Sequence, residues 1–155
     1  MLYLGADHRG YKLKEELKKF LIKKKVSFLD MGNSHFNPDD DYTDIGYAVA
    51  KKLAEDSDTN GGILICGSGI GICIAANKVD GIRAGLASVP KIAKKGKEDD
   101  DMNMLCLAAD TTSSAQAVRI ISAWLKAKFK PESRYVRRIK EIEEIERKKF
   151  KPKIA

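Results

Sequence analysis

The order of apolar segments along the chain constrains the fold more than any other feature of the sequence. Short apolar runs alternate with longer segments in which apolar residues recur every three or four positions. The run at 62–66 is unbroken up to Cys66, which is typical of a strand buried on both faces of a parallel sheet. The alternation predicts an α/β protein with a single doubly wound, five-stranded parallel sheet of the Rossmann or flavodoxin type.

Strand and helix patterns cover most of the chain. The predicted strands are 2–6, 26–31, 62–66, 82–87 and 104–108. The predicted helices are 10–24, one that Thr43 or Asp44 caps and that ends near 55, one that opens within 66–71, then 90–97, 114–128 and 132–149. No linker or repeat interrupts the pattern, so residues 1–155 are expected to form one domain. Its C-terminal helix, within 131–150, is expected to project and to pack on a partner subunit.

Composition and charge exclude several classes of protein. Apolar residues make up 43% and charged residues 33% of the chain, the balance of a soluble globular protein. No apolar run approaches the roughly 18 residues of a membrane span, and the N-terminus lacks a secretory pattern, so a cytoplasmic protein with no membrane partner is expected. The net charge of +7 is scattered among acidic runs and accompanies no nucleic-acid motif, which disfavours a nucleic-acid partner.

The three cysteines indicate reduced thiols. Cys66, Cys73 and Cys106 cannot all pair with one another, and all three lie in apolar surroundings. No two of them have the close spacing of a zinc site, and the chain has only two histidines. We therefore expect neither a disulfide framework nor a bound metal.

Polar residues follow the first and third predicted strands. Asp7 and His8 come directly after the first strand, and Cys66 ends the third. Ligands of doubly wound sheets bind beyond the carboxyl ends of the strands, and the first and third strands are neighbours in a flavodoxin-like order. Asp7, His8 and Cys66 are therefore expected around one crevice. His35 lies in a polar loop and is interpreted as a surface residue.

The loop after Cys66 has the pattern of an anion site. Glycines at 67, 69 and 71 permit unusual backbone angles and let N–H groups approach an anion at the start of a helix. A dinucleotide site would need a carboxylate at the end of the next strand, which instead ends Ala87-Ser88. A cysteine at a strand end is usually a small core residue. Before such a loop, however, its thiolate would be stabilised and could remove a proton next to a carbonyl.

Around these residues the chain resembles the family of type B ribose-5-phosphate isomerases and galactose-6-phosphate isomerase subunits. The resemblance covers nearly the whole length, and its longest segment is GGILICGSGIG at 61–71. The other matching segments are GADHRG at 5–10, Asp41-Tyr42, IAANK at 74–78, GIRA at 81–84, NML at 103–105 and the pair Arg134 and Arg138. Ile72 stands where one branch of the family has a glutamate, so the resemblance is to the cysteine branch.

The resemblance implies roles for particular residues. Cys66 would move a proton between C2 and C1 of an open-chain sugar, with Asp7 and Ser68 binding hydroxyls or relaying their protons. The amides of the glycine loop would stabilise the enediolate; the loop residues concerned are Gly67, Gly69, Ile70 and Gly71. The phosphate and the rest of the substrate would be held by His8, Tyr42, Asp100, Arg134 and Arg138, the arginines coming from a partner subunit. The resemblance implies no cofactor and a homodimer or homotetramer with shared active sites.

Three positions depart from the family's pattern, and one of them is Ala108, where a glycine is usual. Asp99 stands where a histidine that opens the sugar ring is typical, and Asp110 stands where a basic residue often follows the fifth strand. A carboxylate at 99 can act as a base but is a poor acid at neutral pH. Asp99 is still predicted to be catalytic.

These residues fit more than one function. The expected function is an aldose–ketose isomerase, most simply one that converts ribose 5-phosphate to ribulose 5-phosphate. The aspartates at 99 and 110 favour an alternative, a sugar-phosphate-binding subunit without catalysis. An isomerase of a hexose 6-phosphate is a further alternative. A nucleotide-binding regulator is disfavoured because the ribose-binding carboxylate is missing.

Overall fold

The strands form one parallel sheet in the computed structural model, which describes residues 1–56 and 59–149. The strands are β1 (Leu2–Ala6), β2 (Phe28–Asp30), β3 (Gly61–Cys66), β4 (Ala84–Leu86) and β5 (Met104–Ala108). Their order is β2-β1-β3-β5-β4, and every neighbouring pair is parallel. The predicted five-stranded sheet and the adjacency of β1 and β3 are confirmed.

One edge of the sheet differs from the flavodoxin-like order, in which the fourth strand follows the third and the fifth lies outermost. Here β5 pairs directly with β3, with Ile63 opposite Leu105 and Cys66 opposite Ala108. The short strand β4 is left at the edge and pairs with β5. The residues that follow β5 consequently lie beside the end of β3.

Helices cover both faces of this sheet. Within the described residues they are α1 (Tyr11–Lys23), α2 (Tyr42–Glu55), α3 (Ile70–Ala76), α4 (Pro90–Asp100), α5 (Ser114–Lys126) and α6 (Ser133–Glu146). Helices α1, α4 and α5 pack on one face, and α2 and α3 pack on the other. Helix α6 contacts α4. None of the helices in the described ranges is long and apolar enough to cross a bilayer.

One face of α1 is buried, and it includes a lysine. Leu13, Leu17 and Leu21 lie in the core, but so does Lys14, whose side chain is fully buried. The Lys14 ammonium lies 2.8 Å from Oδ2 of Asp30 and donates to the carbonyl of Asn33 at 2.7 Å. Because an unpaired buried charge is very costly, these partners explain how a lysine occupies a core position and ties α1 to the end of β2.

The predicted cap of α2 is wrong. The helix begins at Tyr42 and its N-cap residue is Asp41, in an extended conformation with φ −105° and ψ 127°. Thr43 and Asp44 therefore lie inside the first turn, where the carboxylate of Asp44 interacts favourably with the helix dipole. The earlier start matters because it places Tyr42 at the edge of the crevice described next. The last residue of the predicted 131–150 segment falls outside the described residues.

Candidate active site

A pocket of about 540 Å³ opens at the carboxyl ends of β1 and β3, where the sequence predicted the site. The residues that follow these two strands line it together with the start of α2. The structure brings together eight predicted site residues in its wall: Asp7, His8, Tyr42, Cys66, Gly67, Ser68, Ile70 and Gly71. Gly69 belongs to the same loop.

Cys66 lies at the base of the glycine loop and is 3% exposed. The backbone N–H of Gly69 donates to its Sγ atom at 3.1 Å. This contact requires glycine at 69, because φ is +72° there and a Cβ atom would lie 2.9 Å from the carbonyl carbon of Leu107. The loop therefore directs a backbone N–H dipole at the sulfur.

The start of α3 forms one side of the pocket. Ser68 is exposed, and its hydroxyl oxygen accepts the N–H of Ile70, the first residue of the helix, at 3.3 Å. Tyr42 lies across from it, with its ring so close to Gly71 that a Cβ atom there would be 2.7 Å from Cζ. Gly71 is thus needed for the approach of the tyrosine, which forms a wall of the pocket.

Asp7 is held on the opposite side by the turn after β1. Asp7 is 3% exposed, and its carboxylate accepts the N–H of Gly10 at 2.9 Å. A Cβ atom at Gly10 would collide with the carbonyl of Ile65, so the turn packs directly on β3. Burial raises the pKa of the Asp7 carboxyl above its ordinary value, although the Gly10 hydrogen bond opposes the shift. The Asp7 carboxyl group therefore keeps its proton to a higher pH than the carboxyl group of an exposed aspartate does.

His8 is oriented by a carboxylate that the sequence analysis did not select. Asp40 accepts both the His8 backbone N–H and a hydrogen bond at Nδ1, each at 2.8 Å. The side-chain amide of Asn33 donates to the other Asp40 oxygen at 2.7 Å and fixes the carboxylate. The hydrogen bond to Asp40 is the largest cause of a raised pKa at His8, so the imidazolium persists to higher pH than in a free histidine.

Arg9 and Asp110 form a further pair at this pocket. Arg9 lines the pocket and its guanidinium forms an ion pair with the Asp110 carboxylate. A Cβ atom at Gly67 would collide with that guanidinium, which therefore lies directly against the glycine loop. Arg9, Asp40 and Asp110 were missed as site residues. The only sequence signal for Arg9 was the matching segment GADHRG, and the only one for Asp110 was its position after β5.

Four predicted residues lie elsewhere in the chain, on α4 and α6. Asp99, Asp100, Arg134 and Arg138 do not line the Cys66 pocket. Asp99 forms an ion pair with Lys95 at 3.1 Å, and its charge also acts on Arg134. Asp100 lines a different, mostly apolar pocket beside β4. A single chain thus does not assemble the complete predicted site.

The described residues contain no group of three or more His, Cys, Asp or Glu side chains that could hold a metal ion. The three cysteines form no disulfide with one another. The groups that line the pocket are a thiol, carboxyl groups, an imidazole, a guanidinium and backbone N–H groups.

Comparisons with known proteins agree on one family. The profile of the Ribose/Galactose Isomerase family matches residues 2–142. Ribose-5-phosphate isomerase B of Escherichia coli is 36% identical over 145 residues, 94% of this chain and 95% of that protein. The structure of ribose-5-phosphate isomerase B from Clostridium thermocellum has a TM-score of 0.89 at 39% identity and covers 95% of this chain and 97% of that one. The Mycoplasma genitalium enzyme with bound ribulose-5-phosphate has a TM-score of 0.89 at 37% identity, covering 94% and 95%.

Proposed function

Since the chain belongs to the ribose/galactose isomerase family and is a sugar-phosphate isomerase, we propose that it interconverts ribose 5-phosphate and ribulose 5-phosphate with Cys66 as the base. The observation that carries this proposal is the hydrogen bond from the Gly69 N–H to Cys66 Sγ inside a pocket that Asp7 also lines. A base and a carboxyl group that can exchange protons thus face the same small cavity.

The proposed reaction moves two protons, one from C2 to C1 and one from O2 to O1, and leaves the composition of the sugar unchanged. The Cys66 thiolate removes the proton from C2 of the open-chain aldose, the C1–C2 double bond forms and negative charge develops on O1. Amides of the loop 67–71 stabilise that charge. The proton then returns from sulfur to C1, while Asp7 and Ser68 carry the hydroxyl proton from O2 to O1. The products are a C2 carbonyl and a C1 hydroxyl, with Cys66 again a thiolate.

The phosphate is proposed to lie at the open end of the pocket, beside His8. The Asp40 carboxylate raises the pKa of His8, which favours a positive charge there. The second contribution is proposed to come from the partner subunit's Arg134 and the partner subunit's Arg138. Both residues are exposed in this chain and follow one another by one turn of α6, so they can extend toward a second molecule.

The surface between the two groups of site residues supports a homodimer. Five exposed apolar side chains lie on α3, β4 and the start of α4: Ile70, Ile74, Leu86, Val89 and Ile92. Such a set, next to the unpaired edge of β4, is typical of a protein–protein interface. A second copy seated there would cover the apolar side chains and bring its α4 and α6 to the pocket. Asp99 of that copy would then act as the base that opens the sugar ring, with Asp100 beside it.

Turnover in deuterated water tests this proposal. Ribose 5-phosphate should yield ribulose 5-phosphate that carries solvent deuterium at C1. The variant Cys66→Ala should lose turnover by a factor of roughly 10³ or more, because it has no group that can accept the C2 proton. Cys73→Ala is the matched control, since Cys73 lies in α3 and its thiol donates to the carbonyl of Ala84. Full activity of Cys66→Ala would contradict the assignment.

The same assay distinguishes the alternatives. The aspartates at 99 and 110 favour a subunit that binds sugar phosphates without converting them. A panel of pentose and hexose phosphates should show isomerisation of ribose 5-phosphate in preference to hexose 6-phosphates. Binding of every sugar phosphate without deuterium exchange would favour the non-catalytic alternative instead.

A further inference from the structure

The charge of the Cys66 pocket poses a problem for an anionic substrate. Asp7, Asp40 and Asp41 contribute carboxyl groups to its wall. A phosphate monoester carries a charge of about −1.5 to −2 at neutral pH. Arg9 is the only lysine or arginine among the described residues that line the pocket. The substrate therefore meets one permanent cation in this chain, next to His8.

The guanidinium of Arg9 packs against a glycine of the loop. It lies against Gly67, where any side chain would collide with it. It therefore sits at the first residue of the loop that follows Cys66, on the wall that also contains His8. The Arg9 side chain is 56% exposed, so a ligand that enters the pocket can reach it.

Asp110 holds the guanidinium in this place. The Asp110 backbone N–H donates to the carbonyl of Gly67 at 3.0 Å, and the N–H of Ala109 donates to the carbonyl of Cys66 at 2.9 Å. These bonds fix Asp110 beside the glycine loop, and its carboxylate pairs with Arg9. A guanidinium has five N–H donors in a planar fork, so a pairing with one carboxylate leaves donors for a phosphate.

We propose that Arg9 binds the phosphate of the substrate together with His8, and that Asp110 is the positioning residue that holds Arg9 against the glycine loop. The proposal rests on the proposed function, because it takes a sugar phosphate as the ligand. In this proposal the positive charge that binds the phosphate comes partly from the chain that forms the pocket, and not only from a partner subunit. Arg9 thereby selects phosphorylated over free sugars.

The variant Arg9→Gln tests the binding role. We expect KM for ribose 5-phosphate and the inhibition constant of inorganic phosphate each to rise by about tenfold or more, since a charge-assisted contact is lost, with kcat within about threefold of the parent. Arg9→Lys should recover part of the loss. Arg119→Gln is the matched control, because Arg119 is exposed on α5 and the charge change is the same. Unchanged constants, or a loss confined to kcat, would overturn the proposal.

The positioning role of Asp110 is tested by a double-mutant cycle. Asp110→Ala should raise KM in the parent, but should add less than about twofold in the Arg9→Gln background, because it acts through Arg9. Equal effects in both backgrounds would overturn that part.

Calorimetric binding of ribose 5-phosphate separates this proposal from the proposed function. Suppose that the parent binds ribose 5-phosphate without converting it and that Arg9→Gln binds it more weakly. This result would support the binding role of Arg9 and refute the isomerase reaction. If the parent converts ribose 5-phosphate and Arg9→Gln binds it as tightly as the parent does, the isomerase reaction is supported and the binding role of Arg9 is refuted. A parent that does not bind the ligand would overturn both.

Discussion

Two regions carry the predicted site residues, and they differ in how their side chains are held. In the pocket at β1 and β3, the backbone does much of the holding: the Gly69 amide contacts Cys66 and the Gly10 amide contacts Asp7. On α4 and α6, Asp99 and Arg134 instead contact side chains close to them in sequence. Asp99 is paired with Lys95, one turn earlier on the same helix, and Arg134 is 59% exposed.

This difference indicates which region already holds its side chains in fixed positions. Catalytic geometry needs side chains whose positions are locked by packing and hydrogen bonds, as in the pocket. Exposed ion pairs one helical turn apart contribute only about 0.3–0.5 kcal/mol and fix little. We infer that the α4–α6 region supplies groups that become ordered only when they meet the pocket of a second copy.

Mixing two defective variants tests that inference with the largest expected effect. Cys66→Ala lacks the base, and the double variant Arg134→Gln with Arg138→Gln lacks the proposed phosphate ligands on α6. In a dimer with shared sites, a mixed dimer carries both defects in one site and neither in the other. Random exchange of subunits should therefore recover up to about one quarter of the parent activity, from two preparations that are nearly inactive below the parent KM.

The control is the same mixture under conditions that prevent subunit exchange, which should remain as inactive as its components. If sites are complete within one chain, no mixed dimer contains an intact site, and mixing would recover nothing even after full exchange. Sedimentation of the mixture would show that exchange had occurred.

The sequence predicted the parts of the pocket that depend on local backbone chemistry. Glycines at 67, 69 and 71 indicated a loop with unusual backbone angles, and Gly69 has the predicted type of conformation. The apolar runs predicted the strands that carry Asp7 and Cys66 to the same edge. These features could be predicted because each depends on residues close together in the chain and on the general handedness of α/β folds.

The parts that were missed depend on contacts between distant segments. Asp40 reaches His8 across 32 positions, from a polar loop without periodicity. Asp110 reaches Arg9 across 101 positions, and it does so only because β5 lies beside β3 instead of at the sheet edge. Strand order is set by packing of whole helices on the sheet, and single-sequence patterns do not encode it.

The variant Asp99→Asn sharpens the comparison between the regions. If Asp99 opens the sugar ring, its loss should slow turnover of ribose 5-phosphate by roughly 10- to 100-fold. Ribulose 5-phosphate has its 5-hydroxyl blocked and stays open, so deuterium exchange at its C1 requires no ring opening. That exchange should be affected much less. Asp80→Asn is a control at an exposed acidic position. Equal losses in both assays would exclude a ring-opening role and place Asp99 at a step common to both substrates.

The smallest expected effect concerns the pH dependence of phosphate binding within the pocket. His8 is proposed to bind phosphate as an imidazolium, and its hydrogen bond to Asp40 raises its pKa above the ordinary value of about 6.5. KM should therefore stay low as the pH rises past that value, and should increase only as the pH passes the raised pKa of His8. Asp40→Asn removes the negative charge, so the pKa of His8 falls and the increase in KM begins at lower pH.

The stability of the folded protein provides a second test of the raised His8 pKa, and this test does not depend on turnover. A histidine whose folded-state pKa is raised contributes stability in full below its unfolded-state pKa, and that contribution is lost as the pH rises through the folded-state value. The thermal unfolding temperature of Asp40→Asn should therefore differ most from the parent at acidic pH. At alkaline pH the difference should shrink to the part that comes from the hydrogen bonds of Asp40 with the His8 backbone N–H and Asn33. Asp39→Asn is the matched control, an exposed neighbour with the same change of charge. NMR titration of the two histidines should show a lower pKa for His8 alone in Asp40→Asn. An unchanged His8 pKa would mean that the charge of His8, and hence the organisation of the pocket, does not depend on Asp40.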